Sequence, residues 1–331
     1  MQLNSLLDMV LDRTLIGYGN VGYFVRRRSW PDGDPPRGAL RGRVAIVTGA
    51  KTGLGRATAR GLVELGAKLH MVVRGREEGE QVREDLLREV PGAEIVVDEC
   101  DVSSIASVRA YAEAFEGPLH VLIHNAGVMP DEREVSEDGV ELTLATHVVG
   151  PHLLTALLRP ALEAGAPSRV IWVASGGMYG QKLRIDDLQT EHDTYRPAVV
   201  YARTKRAQVV LAREWAERLR DDGIVVHAVH PGWVDTPGVD RWLPKFKALT
   251  KPILRTPEQG ADTFVWVAAA EEPGRSSGRF WHDRESRPLH YVPRTKESVA
   301  DRQALWDAVQ RLSGLEPAAP LRRAAQSAEA T

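Results

Sequence analysis

The sequence predicts an α/β fold in which a parallel sheet is covered by helices on both faces. Three observations carry that expectation. Short apolar, β-branched runs alternate with helical patterns through most of the 331 residues. The first run, Val44-Ala45-Ile46-Val47, passes through a glycine-rich turn straight into a helical pattern with Leu62, Val63 and Leu65 among its apolar positions. Hydrophobic residues make up 43% and charged residues 27%, the balance of a water-soluble chain able to bury a sizeable core.

Taken in order, residues 1–41 precede the first strand and read as a helical extension and a linker. Leu3, Leu6, Leu7, Val10, Leu11 and Leu15 recur at helical spacing, and the segment closes in Arg26-Arg27-Arg28-Ser29-Trp30. Two readings stay open. One is an amphipathic helix packed on the body or on another subunit. The other is a helix lying on a membrane surface, its arginines near anionic headgroups. Residues 31–41 are rich in Pro and Gly, as in a linker. Residues 68–74 then read as the second strand and 75–90 as a charged helix. Residues 94–100 form the third strand, and Ser103 is placed to cap the helix that follows. The fourth strand falls at 119–124, and a long helical pattern over 137–162 is interrupted by Gly150-Pro151. The fifth strand is expected at 169–174, a helix at 201–219 and the sixth strand at 223–230. Thr256-Pro257-Glu258 opens another helix, with Pro257 at a favourable first position. Residues 278–282 complete a sheet of about seven strands, and 295–312 read as the last helix. One domain over 42–313 is expected, with a flexible Ala- and Pro-rich tail over 314–331.

Charge and cysteine usage narrow the partners. A net charge of −2 gives no reason to expect nucleic acid. The single cysteine, Cys100, excludes an intrachain disulfide and reads as a buried thiol. No apolar run is long enough to span a bilayer, and the start does not resemble a secretory signal. The expected location is the cytoplasm, with residues 1–30 as the candidate for peripheral membrane contact.

The candidate chemistry sits at the carboxyl ends of the strands, where such sheets bind ligands. In Thr48-Gly49-Ala50-Lys51-Thr52-Gly53-Leu54-Gly55, Gly49 permits the sharp turn off the strand. Gly53 lets backbone approach a pyrophosphate, and Gly55 lets the helix pack closely. The helix N-terminus supplies N–H groups and a partial positive charge to the anion. At the end of the second strand, where a carboxylate would bind a ribose 2′-hydroxyl, stands Val73-Arg74-Gly75-Arg76. Arg74 suits a 2′-phosphate, with Lys51 in reach of the same group, so NADP(H) is expected over NAD(H). Tyr201 and Lys205 lie four residues apart and share a helix face. An ammonium there favours the phenolate, lowering a hydroxyl whose ordinary pKa is about 10. Ser175 leaves the fifth strand and can hydrogen-bond a substrate oxygen.

The Thr-Gly-x-x-x-Gly-x-Gly turn, Asn125-Ala126-Gly127, Ser175 and Tyr201-x-x-x-Lys205 together resemble the short-chain dehydrogenase/reductase family over about residues 43–283. More narrowly, Ser175-Gly176-Gly177-Met178, Gln181-Lys182-Leu183, Asp187-Leu188-Gln189, His230-Pro231-Gly232-Trp233 and Asp235-Thr236-Pro237-Gly238 are similar to the dehydrogenase/reductase family member 12 group. The resemblance implies a Rossmann-type, doubly wound sheet and hydride exchange between a carbonyl/alcohol pair and the nicotinamide. Tyr201 would act as acid/base, Lys205 would tune it, and Ser175 would hold the oxygen. It implies cofactor contacts from Gly49, Lys51, Thr52, Gly53, Leu54, Gly55, Arg74, Asp101, Val102, Asn125, Ala126, Gly127, Tyr201, Lys205, Pro231, Gly232, Val234 and Thr236. No metal is implied, and a homo-oligomer is a family expectation. Two positions depart from the pattern. His124 stands where the family usually has Asn and reads as structural. His147 replaces the Asn that holds a water in the proton relay, so an imidazole there either binds that water and titrates near pH 6.5 or blocks the relay. His147 therefore keeps a second reading open: a nucleotide-binding, regulatory protein without turnover. Residues 237–256, with Trp242, Leu243, Phe246 and Leu249, are expected to form a flap that favours a hydrophobic substrate.

Overall fold

Alternation of side chains along the strands builds two cores. In β1 (Val44–Thr48), Ala45 and Val47 face one side of the sheet and Ile46 the other. The computed structural model describes residues 15–236 and 250–315, with Leu11 and Arg241 described singly. The strands are β1, β2 (Lys68–Val73), β3 (Glu94–Glu99), β4 (Val121–His124), β5 (Ser168–Val173), β6 (Ile224–Val229), β7 (Phe280–His282) and β8 (Glu285–Ser286). They form one sheet in the order β3-β2-β1-β4-β5-β6-β7-β8. Every pairing is parallel except β7 with β8. The eighth strand is the one the sequence did not suggest; at two residues it is too short to show a period.

Helices α1 (Asn20–Arg27), α2 (Gly53–Glu64), α3 (Arg76–Glu89), α4 (Ile105–Ala114), α5 (Gly150–Leu157), α6 (Pro197–Arg218), α7 (Pro257–Ala269) and α8 (Val299–Leu312) complete the main architecture. On one face Ile46, Leu122, Val170 and Trp172 pack beside Val108, Leu153, Leu211 and Leu305 from α4, α5, α6 and α8. On the other, Val47, Leu69, Ile123 and Ile171 pack beside Leu62, Leu86 and Phe264 from α2, α3 and α7. A fully buried Leu or Phe contributes about 1.5–3 kcal/mol, so these faces dominate the stability of the sandwich. The strand order reverses at β1, which has β2 on one side and β4 on the other. That switch point opens a crevice at the carboxyl edge.

Element starts differ from expectation where capping decides. Ser104, not Ser103, caps α4 by accepting from Ser107 N. The helical pattern expected from 137 begins at Leu142, because Val135 and Glu141 form a bridge and the Glu141 carboxylate caps Thr143 N and Leu144 N at 2.9 and 2.7 Å. Its interruption is a π-helical turn over Ala145–Val149. Helix α6 starts four residues early, since Pro197 at its first position fits the φ that a helix needs. Tyr201 therefore sits one turn inside the helix, where the backbone is held on both sides. The expected opening of α7 at Thr256 holds, with a capping box between Thr256 and Gln259. Cys100 is buried, and burial pushes its thiol up to about 11.

In the N-terminal part, residues 1–10 and 12–14 lie outside the described residues, as do 237–240 and 242–249 of the expected flap and the tail from 316. Of the described segment, Ile16, Val21 and Phe24 are exposed, while Tyr23 and Arg26 are buried. Among the described residues no helix is long and apolar enough to cross a membrane.

Candidate active site

The crevice is closed at its floor by glycine. Gly49 has φ +67°, and a Cβ there would stand 2.9 Å from the Ala126 Cα. A Cβ on Gly55 would stand 2.1 Å from the Gly49 oxygen and 2.6 Å from Asn125 Nδ2. Thr52 precedes α2 without a side-chain cap, so the N–H groups of the first turn, including those of Gly53 and Leu54, are left for an anion. Asn125 pins the turn to β4: its Nδ2 donates to Thr48 O at 2.9 Å and Gly49 O at 3.2 Å. The Thr48 hydroxyl accepts from the N–H groups of Asn125 and Ala126 at 3.0 and 3.1 Å. A narrow, glycine-lined cradle at an uncapped helix start fits a dinucleotide pyrophosphate.

At the outer rim, Arg74 is exposed at the end of β2. Lys51 Nζ donates to Glu78 in the first turn of α3 at 2.5 Å. Hydrogen bonding and charge from Lys51, with Arg74 adding, hold the Glu78 carboxyl below its ordinary range. The 2′-phosphate candidates are thus both present, one of them already carrying an internal counter-ion. Asp101 follows β3, where its Oδ1 accepts from Ser103 N and Oγ at 2.8 and 2.7 Å. Val102 beside it is buried in the core.

Opposite the glycine turn, α6 brings Tyr201 and Lys205 to the end of β5. Lys205 is buried, and its Nζ donates to Val173 O at 2.8 Å, two residues before Ser175. The same Nζ stands 5.3 Å from the Tyr201 ring centroid. Ser175 Oγ accepts from Gly177 N at 3.3 Å. The electrostatics depart from the expectation of a phenol made acidic by its neighbour. Burial pushes the Tyr201 hydroxyl up to about 12, with hydrogen bonding to Ser175 pulling the other way. Burial pushes the Lys205 ammonium down to about 7. Desolvation outweighs the pair's attraction because the described partners of Lys205 include a carbonyl but no carboxylate.

His147 joins this group. Its ring lies edge-on to Tyr201 with centroids 5.3 Å apart. Nδ1 meets Thr204 Oγ1 at 2.8 Å, and Nε2 accepts from Val128 N at 3.1 Å. The Thr204 hydroxyl donates to Tyr201 O at 2.8 Å, which places the imidazole proton on Nδ1. Both nitrogens are therefore committed. Burial, then the charge of Lys205, push its pKa well below the ordinary value. An imidazole titrating near pH 6.5 is not what stands here; full burial removes the water that would stabilise its cation. The π turn frees the His147 carbonyl, which accepts from Gln208 Nε2 at 2.7 Å. His124 is structural as expected: buried, bonded to Thr155 Oγ1 at 2.8 Å and packed on Trp172.

A line of close approaches joins the two halves of the crevice. Gly49 abuts Ala126, and a Cβ on Gly127 would stand 3.0 Å from His147 Nε2. His147 in turn touches Tyr201. The loop after β6 crosses the same edge: His230 Nδ1 accepts from Gly176 N at 3.2 Å, beside Ser175. Pro231, half-buried, and Gly232, at φ +81°, turn the chain. Val234 approaches Leu54, both crowding the site of Gly260, and Thr236 ends this described stretch. Thr204, Gln208, Glu78 and His230 are the partners that motif reading did not single out as site residues. The first two had a signal, since Tyr201, Thr204, Lys205 and Gln208 share one helix face.

A Rossmann-type sheet with a glycine cradle at its switch point and Ser, Tyr and Lys gathered along the same carboxyl edge defines an oxidoreductase scaffold. A family model described as short chain dehydrogenase matches residues 43–245. The chain belongs to the short-chain dehydrogenase family. It is 40% identical over 281 residues to human dehydrogenase/reductase SDR family member 12, covering 83% of this chain and 87% of that one. It is 35% identical over 307 residues to human retinol dehydrogenase 14, covering 86% and 89%. Among solved structures, an uncharacterized protein from Mycobacterium paratuberculosis superposes with a TM-score of 0.67 at 28% identity, covering 83% of this chain and 95% of that one. L-sorbose reductase from Gluconobacter frateurii, in complex with NADPH and L-sorbose, shares the fold with a TM-score of 0.59 at 24% identity, covering 73% and 95%.

Proposed function

We propose that this protein is an NADP(H)-dependent oxidoreductase that interconverts a carbonyl and an alcohol on a hydrophobic small molecule. The observation that carries the reading is the single constellation of Tyr201, Ser175 and Lys205 facing a glycine cradle across His147 and Gly127. Bound dinucleotide supplies the hydride acceptor or donor and, when oxidised, a positive ring. The protein's residues do the rest. Tyr201 gives or takes the proton at the substrate oxygen, and Ser175 Oγ hydrogen-bonds that oxygen. Lys205 holds α6 to the end of β5 through Val173. Burial leaves the free Tyr201 hydroxyl at about 12, and a positive charge brought beside it would favour its phenolate.

Arg74 at the end of β2 and Lys51 in the glycine turn support NADP(H), because the position where a carboxylate would bind a ribose 2′-hydroxyl carries an arginine instead. The apolar side chains of the expected flap over 237–256 and the similarity to retinol dehydrogenase 14 support a hydrophobic alcohol or its carbonyl. The test is a panel of hydrophobic aldehydes and ketones with NADPH, followed by loss of nicotinamide absorbance. Turnover of at least one member is expected. NADPH binding without turnover of any member, unrestored by His147→Asn, would favour the rival reading of a non-catalytic nucleotide-binding protein. A homo-oligomer is part of the proposal and is read by light scattering.

A further inference from the structure

The turn between β7 and β8 carries an arginine where such turns usually have glycine. His282 and Glu285 pair across a two-residue connection, Asp283 and Arg284. Both central residues have positive φ, +51° and +58°, where Asn or Asp followed by Gly is the usual pair. The side chains explain the choice, because both hold the N-terminal segment. Asp283 is buried and receives Arg26 Nη1 at 2.8 Å, together with Arg255 Nη1 and Nη2 at 2.5 and 2.8 Å. Arg284 meets both oxygens of Asp262 at 2.8 Å, donates to Asp34 O at 2.6 Å and lies 4.3 Å over the Trp30 ring. Trp266 Nε1 adds a bond to Asp34 Oδ2 at 2.6 Å.

The gripped segment reaches back to the crevice. Tyr18 O accepts from Trp233 N at 2.7 Å. The Tyr18 ring packs on Trp233, His230 and His282 with centroids 6.2, 5.2 and 5.4 Å away. Arg255, besides holding Asp283, donates to Gly17 O, Gly19 O and Pro231 O at 3.2, 3.1 and 3.3 Å. Its backbone joins the same loop, donating to Trp233 O at 2.7 Å and accepting from Asp235 N at 2.9 Å.

We propose that Asp283 and Arg284 are positioning residues, which lock residues 15–34 against the loop 231–236 and thereby set that loop across the cofactor crevice. Strained backbone is kept where side chains over-determine it, and such strain gathers at functional sites. The inference rests on the reading of the crevice as a dinucleotide site. It predicts that the N-terminal segment is part of the working enzyme.

The test combines hydrogen–deuterium exchange with NADPH titration on the full chain. The variants are Arg26→Gln, Arg26→Lys, Asp283→Asn and Arg284→Gly. Exchange in residues 231–236 is expected to quicken about tenfold in Arg26→Gln, Asp283→Asn and Arg284→Gly, while residues 44–64 keep their protection. NADPH affinity is expected to fall roughly tenfold in the same variants and to recover in Arg26→Lys. Arg284→Gly relieves the turn, so a turn-only role predicts a more stable protein with unchanged NADPH affinity; that result overturns the proposal. A loosened loop with wild-type affinity overturns it as well. If Asp283→Asn does not fold, Arg26→Gln and Arg284→Gly decide. Wild-type protein that binds no NADPH removes the dinucleotide reading and this proposal with it. Wild-type binding with unchanged exchange in the variants removes the proposal alone.

Discussion

Acid should unfold this protein well before its carboxylates are neutralised. Six of its ten histidines are buried: His124, His147, His152, His227, His230 and His282. Burial is the leading cause of a lowered pKa at each. His124 and His282 are pushed down to about 3 and His152 and His227 to about 4, while His147 and His230 lie well below the ordinary value. The unfolded chain returns each to about 6.5. Below that value the unfolded state binds more protons than the folded one, so stability is complete above pH 6.5 and is lost as pH falls toward the folded values. At pH 5.5 linkage costs on the order of 1 kcal/mol for each of them, or roughly 4–8 kcal/mol for the set. The lower figure already approaches the whole stability of an ordinary domain, about 5–15 kcal/mol. The unfolding entropy of a 331-residue chain is about 0.7 kcal/mol/K. A loss of 4–8 kcal/mol therefore lowers Tm by about 6–11 °C. Scanning calorimetry at pH 7.5, 6.5 and 5.5, at one ionic strength, measures it. A Tm at pH 5.5 within about 2 °C of that at pH 7.5 would refute the reasoning. The buried imidazoles would then accept protons inside the fold, and the neutral assignment of His147 would fall with them.

Other outcomes follow from the same contacts. Arg74→Ala should lower NADPH affinity about 10- to 150-fold, the worth of a charge-assisted bond at about 1.5–3 kcal/mol, and leave NADH affinity unchanged; equal losses for both would remove Arg74 from cofactor choice. Glu78→Gln releases Lys51 and should tighten NADPH binding, as read by fluorescence titration, with NADH unmoved. His147→Asn should lower Tm by about 1.5–4 °C, because Val128 N or Thr204 loses a buried partner worth about 1–3 kcal/mol. The pH profile of turnover between 6 and 7 should not change; a limb near 6.5 that disappears in the variant would restore the titrating imidazole. Exposed Ile16, Val21 and Phe24 beside exposed Arg27 and Arg28 suit an anionic bilayer. Co-sedimentation with anionic liposomes should drop in Val21→Asp/Phe24→Asp, and equal recovery would remove the membrane contact.

Much of this molecule could be read from residue order, for reasons that differ by element. The strands were legible because buried parallel strands are continuous β-branched runs, as in Val44-Ala45-Ile46-Val47. Tyr201 and Lys205 could be placed together because a fixed offset of four residues on a helix fixes a shared face. Helix starts were less legible where a cap lies close to a rival of the same type, as Ser103 does to Ser104. The environment of Tyr201 could not be read, because its pKa depends on desolvation by groups distant in sequence, and spacing carries the charge of Lys205 but not its burial. The role of residues 15–34 was hidden for the same reason. Arg26 is one of three consecutive arginines, and its partner Asp283 lies 257 positions away. Lys51 likewise looked free for a phosphate, whereas Glu78 already pairs with it.

In the proposed reaction the Tyr201 hydroxyl carries the proton that accompanies hydride transfer. The most direct test is Tyr201→Phe, assayed against the carbonyl that the wild-type protein turns over, with NADPH affinity measured alongside. The account predicts a loss of about 10²–10⁴-fold in turnover, the usual worth of a positioned acid or base, with NADPH affinity within about threefold of wild type. Turnover equal to wild type, at undiminished cofactor binding, would contradict it.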